Sequence, residues 1–389
     1  MKVLRSIVRM LFLPVAVVLI LLAWSTSRKR VIRIVLMDPR FFGHQSLEPE
    51  VFWNDWRSSI ERGCRDLWFC SLGRKKDSSN EYLWQLAHRR LPTIPSWFAS
   101  DLQYWQKLLR LQVIRFLPAS IYRLNFLSRR STYLPEPDVW STRRNEILSK
   151  LAEPFRPYVV FTIRASYVSY DPNDPRNRSL EDFSRAMKAL IRVGYNIVRV
   201  NSRTDELIED FSPHILDWQV LKSGEPGDEL ALISGASFVI STTTGGDCLA
   251  LAYRRPVLYL DSARPYLVFL GTEYATFQVP KIVDCGTGAV LDFRDILSRG
   301  LAWAGEAKQF KQSGAMIVNS SAREIEANVL EFENLVARGL PESEFKDQEW
   351  RDLLMESLGD QIVPRHGEIR ARMLPSSRQW FVEGRAQSL

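Results

Sequence analysis

The sequence predicts an α/β protein with parallel sheets, and three observations support this class. Short apolar runs rich in valine and isoleucine alternate with stretches whose apolar residues recur at helical spacing. Strands that alternate with helices of this size are joined by crossover connections and therefore lie parallel. The chain has 389 residues, of which 46% are hydrophobic and 25% charged, so two globular domains of common size are expected.

Near its start the sequence has an uncharged apolar run, LFLPVAVVLILLAW at 11–24. A membrane-spanning helix needs about 20 apolar residues, so the run is slightly short. Residues 1–30 are predicted to form an uncleaved membrane anchor or an interfacial helix, with a cleaved signal peptide or a buried helix as alternatives. Much of the net charge of +7 flanks the run, at Lys2, Arg5, Arg9, Arg28, Lys29, Arg30 and Arg33. This favours a membrane surface, and not nucleic acid, as the partner.

Residues 31–153 are predicted to form a first α/β domain. The run VIRIVLM at 31–37 is typical of a buried strand, and the stretch after it is predicted to be a loop that leads to a helix at 48–61. A second strand is predicted at 65–71, and helices are predicted at 81–91, 97–111 and 140–152. The prolines at 154 and 157 mark the expected domain boundary.

The alternation of strands and helices is clearer in the second half, where residues 154–340 are predicted to form another α/β domain. The predicted strands are 158–164, 195–200, 217–220, 238–241 and 256–260. The predicted helices are 179–193, 228–234, 248–253 and a last helix to about 338, capped by Ser320, Ser321 and Glu324. Residues 341–389 are expected to be a helical or flexible tail.

Polar residues follow four predicted strands of this second domain. Because ligands of open parallel sheets bind at the carboxyl ends of the strands, these residues are candidate ligand contacts. They are Arg164, Tyr167, Asp174, Arg176 and Asn177 after the first strand, Arg199 and Asn201 after the second, Asp217 at the third, and Thr242, Thr243, Thr244, Gly245, Gly246 and Asp247 after the fourth.

The stretch TTTGGD at 242–247 is the strongest of these signals. It leaves a strand, contains two glycines and opens a helix, so backbone N–H groups and the positive helix end can face an anion. Arg164 or Arg199 could complete a pyrophosphate clamp, because one guanidinium pairs with two phosphate oxygens. The spacing is neither that of a Walker loop nor that of a GxGxxG fingerprint, and a simple helix cap is the alternative interpretation.

His44 follows the first strand and is the candidate general base. Gly43 before it would let a ligand approach closely, and the imidazole could take a proton from an acceptor hydroxyl. Glu48 is a second candidate catalytic residue, and Glu50 is another possible base. The alternatives are a histidine hydrogen-bonded in a turn and glutamates that complement the helix dipole. Four cysteines and four histidines show no metal-ligand spacing, so neither a metal nor a cofactor is predicted.

An ordered set of motifs resembles a family of bacterial glycosyltransferases linked to surface polysaccharide synthesis. The set is Gly43-His44, FTIRASY (161–167), DPRNRSLEDF (174–183), GYNIVRVNSR (194–203), Asp217-Trp218, FVISTTTGGD (238–247), YRRPVLYLD (253–261), KIVD (281–284) and NSSAREIE (319–326). The resemblance covers about residues 31–335 and implies a GT-B fold, in which two Rossmann-like domains face each other across a cleft. The donor would lie mainly on the second domain, without a metal. Ala165 and the second glycine of the 242–247 turn depart from the family pattern.

These motifs predict a metal-independent glycosyltransferase that moves a sugar from a nucleotide-sugar donor to a saccharide or lipid-linked acceptor. A pyruvyl-type transferase on the same scaffold is one alternative. A non-catalytic, membrane-tethered scaffold of a polysaccharide assembly complex is another. Since sugar nucleotides are made in the cytoplasm, the catalytic domain is expected at the inner membrane, facing the cytoplasm.

Overall fold

The computed structural model of the protein divides into two compact units, unit 1 (1–121 and 129–133) and unit 2 (122–128 and 134–389). The ranges that it describes are 31–110, 113–118, 138–164, 176–200, 212–218, 227–262, 272–301, 306–340 and 371–377, together with residues 14, 15, 17, 18, 20, 21, 25, 174, 225, 304 and 352. Both units contain parallel sheets with helices, which confirms the predicted α/β class.

Unit 1 is built on a three-stranded parallel sheet. The strands are β1 (Ile32–Leu36), β2 (Leu67–Ser71) and β3 (Ile114–Pro118), in the order β2-β1-β3. The helices are α1 (Phe42–Glu61), α2 (Glu81–Arg90) and α3 (Ser96–Leu108), with a short 3₁₀ turn at Lys75–Asp77. Ile34 and Ile114 of the sheet pack against Ala99 and Leu102 of α3 to form the core.

The predicted loop between the first strand and residue 48 is shorter than expected, because α1 already begins at Phe42. The helix continues through Pro49, which supplies no backbone N–H to the ladder. Every residue from Gln45 to Phe52 is buried, and this packing offsets the missing hydrogen bond. His44 therefore lies in the first turn of a helix and not in a loop.

Unit 2 is built on a seven-stranded parallel sheet. The strands are β4 (Tyr158–Thr162), β5 (Asn196–Arg199), β6 (Ile215–Asp217), β7 (Phe238–Ser241), β8 (Val257–Tyr259), β9 (Ala275–Phe277) and β12 (Arg372–Met373), and a separate antiparallel pair is β10 (Lys281–Asp284) with β11 (Ala315–Val318). The helices are α4 (Asp138–Leu148), α5 (Glu181–Arg192), α6 (Asp228–Ser234), α7 (Gly245–Ala252), α8 (Phe293–Ser298), α9 (Ala307–Gln312) and α10 (Ala322–Ala337).

The strand order of this sheet is β12-β9-β8-β7-β4-β5-β6. Counted from β4, the first six strands along the chain have the spatial order 3-2-1-4-5-6, which is the Rossmann order. The order reverses between β4 and β7, so their carboxyl ends form the topological switch point. Apolar residues of α5 and α10, among them Phe183 and Phe332, pack in one cluster with Phe161 of β4 and Phe238 of β7.

Unit 2 includes two segments that the predicted domain bounds place outside residues 154–340. Helix α4 belongs to unit 2 although it precedes the predicted boundary at 153/154, because Arg143 donates two hydrogen bonds to the buried carboxylate of Asp228, at 2.7 and 3.1 Å. Part of the predicted tail is a strand of the sheet: β12 pairs with β9, and the Leu374 N–H donates to the Phe277 carbonyl at 2.9 Å.

Most of the apolar run 11–24 lies outside the described residues. Its described positions, 14, 15, 17, 18, 20 and 21, are helical. Ile20 is fully buried in the core cluster of unit 1 that contains Ala99 and Leu102. No helix within the described residues is long and apolar enough to cross a membrane.

Candidate functional site

The switch point of unit 2 brings together two of the predicted ligand segments. The backbone N–H of Arg164, two residues beyond β4, donates to the Thr242 hydroxyl at 2.8 Å. The Thr242 N–H donates to the Thr162 carbonyl at 3.3 Å. The segment after β4 and the turn after β7 are therefore held side by side at the carboxyl edge, as the sequence predicts for parallel strands.

The turn after β7 is held by its own polar groups. Thr244 is the N-cap of α7, and its side chain accepts from the Gly246 N–H at 3.3 Å. Asp247 completes a capping box, because its Oδ2 accepts from the Thr244 N–H at 2.8 Å. The helix thus begins at Gly245, three residues before the predicted start at Cys248.

Ser241 and Thr243 close the rest of this turn. The Ser241 hydroxyl donates to Asp247 Oδ2 at 2.8 Å and accepts from the Thr243 N–H at 3.0 Å. Thr243 has φ +62°, a left-handed conformation that is unfavourable for a β-branched residue. Backbone strain of this kind persists only where the surrounding contacts enforce it. Gly245 is only partly buried, and within the described residues its N–H has no hydrogen-bond partner, so it is the amide of the turn that can bind an anion.

Asp247 faces the interior of the turn. It is buried, and burial raises the pKa of its carboxyl to about 6 even though hydrogen bonds from Ser241 and the Thr244 N–H oppose the shift. Its Oδ1 has no partner among the described residues. A donor contact for Asp247 stays a prediction, and the observed contacts give it a role in holding the turn.

Arg164 lies beside a carboxylate and a second arginine. Its Nε is 3.7 Å from Asp174 Oδ2, and Arg176 forms a closer ion pair with the same oxygen at 2.6 Å. Burial opposes ionisation of Asp174, but the hydrogen bonds and charge of Arg176, with the charge of Arg164, lower its pKa to about 2. The backbone N–H of Asn177 donates to the Asp174 carbonyl at 2.9 Å. Among the described residues, two guanidinium groups thus lie beside the Asp174 carboxylate.

Arg199 and Asp217 form a buried ion pair between neighbouring strands. Arg199 Nη1 lies 3.0 Å from Asp217 Oδ2, and Arg199 is completely buried. The pair compensates the two charges inside the sheet. Donor contacts for both residues stay predictions, and their burial gives them a structural role.

Arg178 is a site residue that the strand-end argument overlooked. It donates to Asp261, to the Ser320 carbonyl at 2.8 Å and to Asp182 at 3.0 Å. Asp261 follows β8 and also accepts from the Ser320 hydroxyl at 2.7 Å. Asp261 directly follows the predicted strand 256–260. The rule that identified the other candidates, a polar residue after a strand, could therefore have identified it too. This network ties the carboxyl edge to the start of α10.

In unit 1, His44 and Glu48 form a hydrogen-bonded pair one helical turn apart on α1. His44 Nδ1 lies 2.7 Å from Glu48 Oε1, and Glu48 Oε2 accepts from the Asp38 N–H at 2.8 Å. The hydrogen bond with Glu48 raises the pKa of His44, and burial raises the pKa of Glu48. Because Nδ1 is engaged, Nε2 is the nitrogen that can exchange a proton with a ligand. Glu50 is buried and accepts from Asn54 instead, at 3.0 Å.

Two predicted contacts, Tyr167 and Asn201, lie outside the described residues. Within the described ranges no group of three or more His, Cys, Asp or Glu side chains has the arrangement of a metal site.

No family model and no curated protein matches this chain. Several solved glycosyltransferases are similar to it in structure. The family 9 glycosyl transferase from Veillonella parvula is 11% identical over 78% of this chain and 98% of its own, with a TM-score of 0.44. The E. coli ADP-heptose LPS heptosyltransferase II is 14% identical over 59% of this chain and 84% of its own, with a TM-score of 0.34. The iron-containing heptosyltransferase TibC of E. coli is 16% identical over 80% of this chain and 77% of its own, with a TM-score of 0.39.

Proposed function

We propose that this protein is a glycosyltransferase that uses a nucleotide-sugar donor. The observation that carries the proposal is the switch point of unit 2, where a strained turn opens α7 next to Arg164. In a sheet of Rossmann order this is where nucleotides bind. The acceptor is proposed to be a saccharide or a lipid-linked saccharide. The enzyme is proposed to act at the cytoplasmic face of the inner membrane.

The donor diphosphate is proposed to lie against the turn 243–245. The Gly245 N–H and the positive end of α7 attract its charge, and the half-exposed hydroxyl groups of Thr243 and Thr244 add donors. Arg164 supplies a guanidinium that can turn from Asp174 towards phosphate oxygens. The two guanidinium groups of Arg164 and Arg176 at this edge favour an anionic ligand.

His44 is proposed to act as the general base on the acceptor. Neutral His44 takes the hydroxyl proton at Nε2 while the hydroxyl oxygen forms a bond to the anomeric carbon of the sugar. The bond from that carbon to the diphosphate oxygen breaks, and the nucleoside diphosphate leaves with the electron pair. Glu48 holds the ring through Nδ1 and stabilises the imidazolium that forms.

Nucleotide titration tests the donor site. Gly245→Val places a branched side chain at the proposed phosphate contact and should weaken binding of a nucleoside diphosphate by at least about tenfold, or about 1.4 kcal/mol. The control is Ala337→Val, which places the same valine side chain at the exposed end of α10 and should leave the affinity unchanged. Calorimetry with a panel of nucleoside diphosphates measures both.

Three results separate the alternatives. Unchanged nucleotide affinity in folded Gly245→Val contradicts the proposed phosphate position. Binding of phosphoenolpyruvate, without binding of any nucleotide, supports the pyruvyl-type transferase. If neither ligand binds and His44→Ala leaves polysaccharide synthesis intact in cells, the non-catalytic scaffold is the better interpretation.

A further inference from the structure

The outer face of α3 in unit 1 carries a row of large apolar side chains. Trp97, Tyr104 and Leu108 are 48%, 46% and 59% exposed. They are separated by seven and four residues, so they lie on one stripe along the helix. Leu109, directly after the helix, is 43% exposed. The opposite side of α3 packs in the core of unit 1, where Ala99, Leu102 and Gln106 are buried, so α3 presents apolar surface both inward and outward. Asp101, one turn after Trp97 on the side of the stripe, is buried as well.

The helical residues near the N-terminus lie next to α3. Ile20 is fully buried in the same cluster as Ala99 and Leu102. Val15, Val18 and Leu21 are each about half exposed, and their spacing of three residues places them on neighbouring positions of the helix surface. Of these described residues, Ile20 therefore contacts the core of unit 1, while Val15, Val18 and Leu21 are exposed apolar residues.

Basic and interfacial residue types accompany this surface. Lys107 and Arg110 are exposed at the end of α3. Tryptophan, tyrosine and basic residues are the types that prefer the headgroup region of a membrane.

We propose that the α3 stripe and the N-terminal helical residues form one surface that lies flat in the headgroup region of an anionic bilayer. The surface comprises Trp97, Tyr104, Leu108, Leu109, Val15, Val18 and Leu21. Apolar side chains enter the boundary of the acyl chains, while Lys107 and Arg110 face anionic headgroups. Membrane contact then depends on the folded unit 1 and not on the N-terminal segment alone. The proposal does not depend on nucleotide binding.

Vesicle sedimentation of the full-length protein tests this surface. Trp97→Ser combined with Leu108→Gln should lower binding to vesicles of phosphatidylcholine and phosphatidylglycerol by roughly tenfold, because affinity scales with the apolar area that enters the interface. The matched control is Val193→Gln combined with Met316→Gln in unit 2, whose side chains are 53% and 54% exposed. This control should bind as the wild type does. Lys107→Gln should weaken binding at low salt only.

The N-terminal segment is intact in every variant, so any difference reports on α3. Equal vesicle binding by the wild type and Trp97→Ser/Leu108→Gln overturns the proposal, as does an equal loss in the unit 2 control. Sedimentation velocity without vesicles is a further check. If the wild type is a dimer and Trp97→Ser/Leu108→Gln is a monomer, the stripe is a self-association surface and the proposal is overturned. Leu108→Gln alone should bind vesicles about threefold more weakly than the wild type. Its melting temperature should be unchanged, which would show that the weaker binding does not come from a folding defect. Nucleotide affinity should be equal in all variants, so failure of the donor site and failure of this surface remain distinguishable.

Discussion

The sheet of unit 2 is buried far more completely than the sheet of unit 1. Every residue of β4 and β7 is buried, whereas only Ile34 and Val35 of β1 are buried and β2 begins with an exposed leucine. A parallel strand that is buried throughout is covered on both faces. Charged groups at the edge of the unit 2 sheet therefore lie in a poorly hydrated environment and are paired. The His44–Glu48 pair of unit 1 lies on a helix, with the imidazole partly open to solvent.

This difference predicts that changes to buried polar residues in unit 2, such as Arg199 and Asp247, act mainly on stability, while changes to the pair in unit 1 act mainly on proton transfer. The first prediction concerns the buried Arg199–Asp217 pair. Arg199→Met should lower the free energy of unfolding by about 3–5 kcal/mol, because it leaves a buried carboxylate without its cation. Urea unfolding of the two single variants and the double variant measures the coupling. Arg199→Met/Asp217→Leu should recover most of the loss, and a single-variant cost below about 1 kcal/mol would contradict the buried pair.

The second prediction concerns Asp247 and pH. Its folded-state pKa of about 6 is above the ordinary 3.8, so ionisation on folding is unfavourable. The penalty is absent below pH 3.8, grows as the pH rises and is complete above pH 6. Asp247→Asn does not titrate, so its unfolding free energy relative to wild type should rise by up to about 3 kcal/mol across this window. Urea unfolding at several pH values gives the difference, and a pH-independent difference would show that folding does not raise the pKa of Asp247.

The third prediction concerns the unit 1 pair. Glu48→Gln removes the main cause of the raised pKa of His44, so the acidic limb of the pH–rate profile should move to lower pH. The maximal rate should fall about tenfold, about 1.4 kcal/mol in the barrier, because the imidazolium loses its carboxylate. Sugar transfer measured between pH 5 and 9 tests both effects. Glu50→Gln on the same helix is the matched control and should leave the limb in place. A profile that Glu48→Gln does not move would rule out His44 as the titrating group.

The fourth and smallest prediction compares two residues with the same unfavourable backbone. Thr243 of unit 2 and Arg110 of unit 1 have φ +62° and +52°. Replacing either with glycine removes the steric conflict and should change the unfolding free energy by less than about 1 kcal/mol in either direction, since glycine also gains freedom in the unfolded chain. Only Thr243→Gly should weaken nucleotide binding, because it removes a proposed phosphate donor. Equal nucleotide affinity of both variants and wild type would remove Thr243 from the donor site.

Much of the fold could be predicted from local patterns. The strand 238–241 and the helix 228–234 have the predicted bounds, and Ser321 and Glu324 form the predicted capping box. The polar turn after β7 could be predicted because a strand, two glycines and a helix follow one another within a few residues. Patterns of this kind depend on neighbours along the chain, which the sequence shows directly.

The roles of single charged residues could not be predicted in this way. Arg164 follows β4 by two residues and Arg199 ends β5, yet Arg164 is partly exposed at the switch point and Arg199 is buried and paired with Asp217 of β6. Only the first six residues of α1, 42–47, escaped prediction, because a proline such as Pro49 favours the first turn of a helix, and burial of the surrounding residues outweighs that preference.

The sequence by itself determined the α/β class, the periodicity of the strands and helices, and the polar character of the strand ends. Only the tertiary structure decided which strands are neighbours, and hence that Thr242 meets Arg164 and that Arg178 meets Asp261, 83 residues away. It also decided that α4 belongs to unit 2, through a contact between Arg143 and Asp228. The physical reason is that periodicity and capping are local properties, whereas the burial and pairing of a charge depend on strand order and on distant segments of the chain.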